Sequence, residues 1–172
     1  IIAIIDPIFT LALLVPLLIG LIRKLPMRQG LVLAMAYLIF GAVQHHRAAT
    51  AAYDLALSRG HVPERLLVKP TVGNLMLWRA LYTMGDRVQV DAIRLGEPHR
   101  IYPGANLPLF DPASDLPSQQ IRNDARRFVT FAQGLAVRYP PDGHFIGDIR
   151  YAMLPHNTAP LWGIEYDPTA PQ

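Results

Sequence analysis

The stretch IIAIIDPIFTLALLVPLLIGLI, Ile1–Ile22, decides how the rest of the chain is read. Its length is about the ~20 residues needed to cross a bilayer, and its only charge is Asp6. A basic segment, Arg23-Lys24-Leu25-Pro26-Met27-Arg28, follows, and then a second apolar run, Leu31–Val43. The expectation is a transmembrane helical hairpin. Pro7 suits the first turn of a helix, where its missing N–H costs nothing. Asp6 is then a natural N-cap, accepting from an amide one turn on. Pro16 lies mid-run and predicts a kink. Two readings of Asp6 stand side by side: a helix cap near the membrane surface, or an acid at membrane depth facing a polar cavity, where such residues carry ions or chemistry.

Composition points the same way. Of 172 residues, 51% are hydrophobic and 17% charged, with a mean hydropathy of +0.21. The apolar excess is concentrated before residue 45, which indicates a membrane segment plus a domain. The net charge of +3 is small for the length and suits contact with the anionic headgroups of a lipid bilayer. No Lys/Arg run with interleaved aromatics is present, so nucleic acid is not indicated as a partner. The absence of cysteine removes disulfides, thiolate metal sites and cysteine nucleophiles. Ile1 is not a start residue, and the chain reads as the C-terminal part of something longer.

The basic turn at Arg23, Lys24 and Arg28 belongs on the cytoplasmic side by the positive-inside rule, which puts the following domain in the periplasm of a bacterium. The second apolar run continues into Ala48–Leu57, rich in alanine, so one helix is expected from about Arg28 to Ser58, a stalk leaving the membrane near His45. Gly60 is its stop, with Pro63 just beyond. His45 and His46 are adjacent and diverge on a helix, which fits interfacial residues better than a metal pair.

From Arg65 the pattern changes. Arg65–Lys69 reads as a strand closed by Pro70. Leu75–Met84 and Arg87–Leu95 flank Gly85-Asp86 and read as an antiparallel hairpin. His99–Tyr102 adds a short strand, and Pro103–Pro117 reads as an irregular loop. Ser118–Gly134 is an amphipathic helix capped by Ser118, with Ile121, Ala125, Phe128, Val129 and Ala132 on one face. Leu135–Tyr139, His144–Tyr151 and Leu161–Tyr166 read as strands. The expected fold is an α+β membrane protein: a two-helix transmembrane hairpin over 1–59, its second helix protruding, then over 60–172 a small soluble domain with a mainly antiparallel sheet and one amphipathic helix.

Chemistry is sparse. There is no Gly-x-Ser-x-Gly elbow, no His-Glu-x-x-His, no phosphate loop and no dinucleotide fingerprint. His61, His99, His144 and His156 are scattered. Asp148 and Arg150 read as neighbours on one side of a strand.

Three short motifs carry a resemblance: Ile5-Asp6-Pro7-Ile8-Phe9-Thr10 opening a span, Leu77-Trp78-Arg79 in a strand, and Gly147-Asp148-Ile149-Arg150-Tyr151 near the end. In this order they resemble the C-terminal half of the YdjM-like family of bacterial inner-membrane proteins, described as metal-dependent hydrolases. The resemblance implies a divalent metal held mainly by histidines of an N-terminal half that this chain does not include. Asp6 would then be the catalytic and metal-site residue here, as ligand or as the partner orienting one. A metal-bound water would attack an ester or phosphoester, of a lipid given the depth of the site. The alternative is a non-catalytic membrane subunit whose hairpin packs in a larger membrane complex and whose domain binds a partner.

Overall fold

The computed structural model describes residues 6–23, 28–114 and 116–169. The order of elements is α1 (Pro7–Arg23), α2 (Arg28–Ser58), β1 (Arg65–Thr71), β2 (Asn74–Met84), β3 (Arg87–Arg94), β4 (Arg100–Pro108), α3 (Gln119–Phe131), β5 (Ala136–Tyr139), β6 (Phe145–Asp148) and β7 (Gly163–Glu165). Two antiparallel meanders result, one of four strands ordered β1-β2-β3-β4 and one of three ordered β5-β6-β7.

The hairpin of helices forms, but the transmembrane assignment does not survive. Among the described residues no helix is long and apolar enough to cross a membrane. Helix α1 starts only at Pro7, because Asp6 caps it, and its 17 residues span about 25 Å at 1.5 Å per residue, short of the ~30 Å hydrocarbon core. Helix α2 has 31 residues, yet its apolar run gives way to Gln44, His45, His46 and Arg47 before its midpoint is far behind. The multi-pass inner-membrane location and the periplasmic side fall with that assignment. The first five residues of the expected span, and the basic turn at 24–27, lie outside the described residues. What remains is an α+β architecture of three described helices and two antiparallel sheets.

Burial on both faces of β2 and β3 explains the layering. Every residue from Trp78 to Thr83 and from Val88 to Ile93 is buried. Trp78 and Ala80 pair with Ile93 and Asp91 and face α2, where Ala48 and Ala52 meet them. Small residues recurring at Ala48, Ala52 and Ala56 let α2 lie close on the sheet. The opposite face offers Leu81, Val88 and Val90 to Leu135, Val137 and Ile149 of the second sheet region. That sheet in turn sends Ala136, Ile146 and Ile164 toward Ala125, Phe128 and Ala132 of α3. The layers therefore run α2, four-stranded sheet, three-stranded sheet, α3, with α1 packed outside on α2.

Local signals place most boundaries. Helix α2 covers Arg28–Ser58 and ends at Gly60, whose φ of +74° suits glycine. Gly85, at φ +56°, turns β2 into β3. Two expectations need correction. Strand β4 runs through Pro103 to Pro108 instead of stopping at Tyr102, and β1 runs through Pro70 to Thr71. Both are edge strands, where a residue without an N–H leaves no ladder partner unmet. The strands at the end are shorter than expected: β6 stops at Asp148, and β7 holds three residues.

Candidate functional site

Asp6 is the residue on which the family resemblance places catalysis and metal binding. It is 5% exposed, and its carboxylate works on both helices of the hairpin. Oδ1 accepts from the backbone amides of Ile8 and Phe9, each at 3.1 Å, which is the N-cap geometry expected beside Pro7. The hydroxyl of Tyr37, on α2, donates to Oδ2 at 2.9 Å. Thr10 returns its hydroxyl to the Asp6 carbonyl at 2.9 Å. Burial, then the hydrogen bond to Asp6, push the Tyr37 phenol up to about 12. Phe9 and Tyr37 rings lie 6.3 Å apart. Asp6 thus pins the start of α1 to the first half of α2. Farther along, a Cβ on Gly30 would meet Pro16 at 2.9 Å, so the helices close tightly there.

The histidines do not gather around Asp6. Among the described residues there is no group of three or more His, Asp or Glu side chains placed to hold a metal ion. His45 stacks edge-on against Trp78 at 5.7 Å, and burial lowers its pKa from the ordinary value. His61 meets the Tyr82 hydroxyl at 2.8 Å.

A polar cluster that the sequence reading missed sits where α2 ends on the four-stranded sheet. Asp91, 1% exposed, points from β3 toward Arg59 just past the helix. Arg59 answers with both terminal nitrogens: Nη1 donates to Oδ2 at 2.6 Å and Nη2 to Oδ1 at 3.0 Å. This bidentate fork raises the Arg59 pKa further above its already high value. The Gly104 amide adds a donor to Oδ1 at 3.3 Å. One signal was available: an aspartate amid Val88, Val90, Ala92 and Ile93 is a charge in a strand that is otherwise apolar.

The two C-terminal motifs also meet in space. Arg79 leaves β2 on the side away from α2 and donates to four carbonyls: Ile149 at 2.6 Å, Pro155 and Asn157 at 2.8 Å, and Leu154 at 3.5 Å. Burial lowers its pKa to about 10, with Asp148 working against that shift. Asp148 is fully buried and grips Arg150 through Nε at 2.9 Å and Nη2 at 2.7 Å. Arg150 passes on to the Phe131 carbonyl at the end of α3. Trp78, also fully buried, donates its indole N–H to the Leu75 carbonyl at 2.8 Å. Arg79 of the first motif and Asp148, Ile149 and Arg150 of the second are thus parts of one clamp that joins the sheets and the segment after β6. Asp148 and Arg150 do act as neighbours, through a fork at the strand's end instead of along a strand.

What the chain leaves unused is surface. Helix α1 has large apolar side chains all round, and α2 covers one side only. Leu11, Leu14 and Leu18 are exposed, and Leu21 and Ile22 are each 80% exposed. Leu31, Val32, Met35, Ile39 and Val43 extend this surface along α2. No protein-family model, no curated protein and no solved structure matches the chain.

Proposed function

We propose that this chain is a non-catalytic assembly subunit whose α1–α2 hairpin packs against apolar helices of a partner protein. The observation that carries this reading is the apolar surface on α1 and the first half of α2. A helix that is hydrophobic on every side is stable only when every side is covered. Contiguous exposed apolar area beyond a few hundred Å² marks an interaction surface. Asp6 serves the same purpose, because its cap and its bond to Tyr37 hold the two helices in one presentable unit.

A photo-crosslinking side chain placed at Leu14 or Leu18 of the full chain, in cells, tests the reading. The expected result is one discrete protein adduct, mapping to an apolar helix of the other protein, and none from a crosslinker at Asp142 in the β5–β6 turn. Absence of a protein adduct, together with flotation of the purified chain on phospholipid vesicles, would overturn it. The hydrolase reading implied by the YdjM-like resemblance makes a different forecast. It requires a stoichiometric divalent metal on the purified protein that falls with Asp6→Ala, and elemental analysis of both proteins decides that point.

A further inference from the structure

A second surface, on the far layer of the molecule, has its own features. Between α3 and β7 lies a groove of about 790 Å³. Ile121, Phe128 and Phe131 from α3 and Ile164 from β7 form its apolar lining, and Phe131 is 61% exposed with its ring against Trp162 at 5.3 Å. The strand beside the groove is an edge. Among the described residues, the order β5-β6-β7 ends on β7.

The register tells which backbone groups are free. Asp148 N–H donates to Trp162 O, and Tyr166 N–H donates to His144 O, while Ile146 lies opposite Ile164. In an antiparallel ladder this alternation commits residues 162, 164 and 166 to β6. Gly163 and Glu165 therefore direct their N–H and C=O groups to the open edge. Among the described residues no backbone hydrogen bond is made to either from that side.

Charge narrows the occupant. The chain as a whole is net positive, at +3. The groove runs against that balance: Asp124, Glu165 and Asp167 line it with Arg127 as the single base, three acids against one. Arg127 already lies 3.7 Å from Asp124, and among the described residues neither Glu165 nor Asp167 has an ion-pair partner, Asp167 accepting at Oδ1 from the amide and hydroxyl of Thr169. An acidic rim, an apolar floor and a free strand edge match one ligand type.

We infer that the α3–β7 groove binds an extended segment of a partner protein, in which lysine or arginine alternates with bulky apolar side chains, as an added strand on β7. The added strand gains main-chain hydrogen bonds from Gly163 and Glu165, and alternate side chains enter the groove. Apolar side chains cover Phe131 and Ile164, and the intervening cations face Glu165 and Asp167. The inference does not depend on the hairpin, which lies at the other end of the layer order.

The test is fluorescence anisotropy on the full chain with a labelled heptapeptide of alternating Lys and Leu, against an otherwise identical Glu-Leu peptide. The Lys-Leu peptide is expected to bind and the Glu-Leu peptide not to. Glu165→Pro removes an outward N–H without touching the ladder to β6, and should weaken binding by about tenfold or more, the worth of one to two good hydrogen bonds. Asp167→Lys keeps the backbone and should weaken it several-fold, with recovery of binding by the Glu-Leu peptide. Equal binding of both peptides, or unchanged binding in a folded Asp167→Lys protein, overturns the proposal, because a peptide seated on the exposed hairpin would ignore both substitutions. If Glu165→Pro fails to fold, Asp167→Lys alone decides. Sedimentation of the free chain adds one more outcome: a dimer abolished by Asp167→Lys would make a second copy the occupant and overturn the partner segment.

Discussion

Asp6 shows how one carboxylate can look like a site and work as a joint. Its acceptor capacity goes to two amides of its own helix and to a phenol of the next. That arrangement has a pH signature through Tyr37. The folded protein holds the Tyr37 proton up to about 12, above its ordinary value of 10.0, so between those values the folded state binds more protons than the unfolded state. The stabilisation is complete below pH 10 and is lost as the pH rises toward 12. Tyr37→Phe should therefore remove part of the alkaline fall in stability while lowering stability at pH 7, as read from urea titrations at pH 7 to 11. An alkaline limb as steep as the wild type's would show that Tyr37 does not titrate against Asp6. Asp6 was legible as a cap from the Asp-Pro pair alone. Its partner was not, because Tyr37 lies 31 residues on and only helix packing brings it close.

Among elements, α3 is where local sequence carries most. Ser118 sits at the N-cap with extended backbone, and its hydroxyl accepts from the Ile121 amide at 3.2 Å. Ser118→Ala should cost about 1 kcal/mol, the usual worth of a serine cap, measured by urea unfolding. A change near zero would mean that packing of Ala125 and Phe128 holds the helix start without the cap. The β2–β3 hairpin and the end of α2 at Gly60 were equally readable, since turn glycines with positive φ advertise themselves. Strand β4 was not. Its prolines argue locally for a loop, and only pairing with β3, buried from Val88 to Ile93, makes residues 103–108 a strand. The hairpin of α1 and α2 was readable as two apolar helices with a tight turn. Its length against a bilayer was misjudged, because α1, capped by Asp6, holds 17 residues from Pro7 to Arg23.

Across the whole molecule, the contact that ties layers together is Arg79. It reaches from the four-stranded sheet to carbonyls between residues 149 and 157, and Asp148 locks Arg150 beside it. Arg79→Ala takes the charged donor from the Ile149, Pro155 and Asn157 carbonyls and should destabilise the fold by at least about 3 kcal/mol, the cost of losing charge-assisted bonds at buried acceptors. Limited proteolysis should then cut between residues 149 and 162 well before any cut in β2. Wild-type resistance in that segment would mean that the Tyr151–Leu161 and Asp148–Trp162 backbone bonds hold it unaided. The sequence by itself determined the helix starts and stops, the hairpin turn at Gly85 and the apolar character of the first 43 residues, because caps, turn chemistry and periodicity act within a few residues. Tertiary structure alone decided that Asp91 is matched by Arg59, that Arg79 and Asp148 belong to one clamp, and that β7 is left as an open edge beside α3. Those outcomes depend on which distant segments share a layer, and no short-range pattern in the chain encodes that.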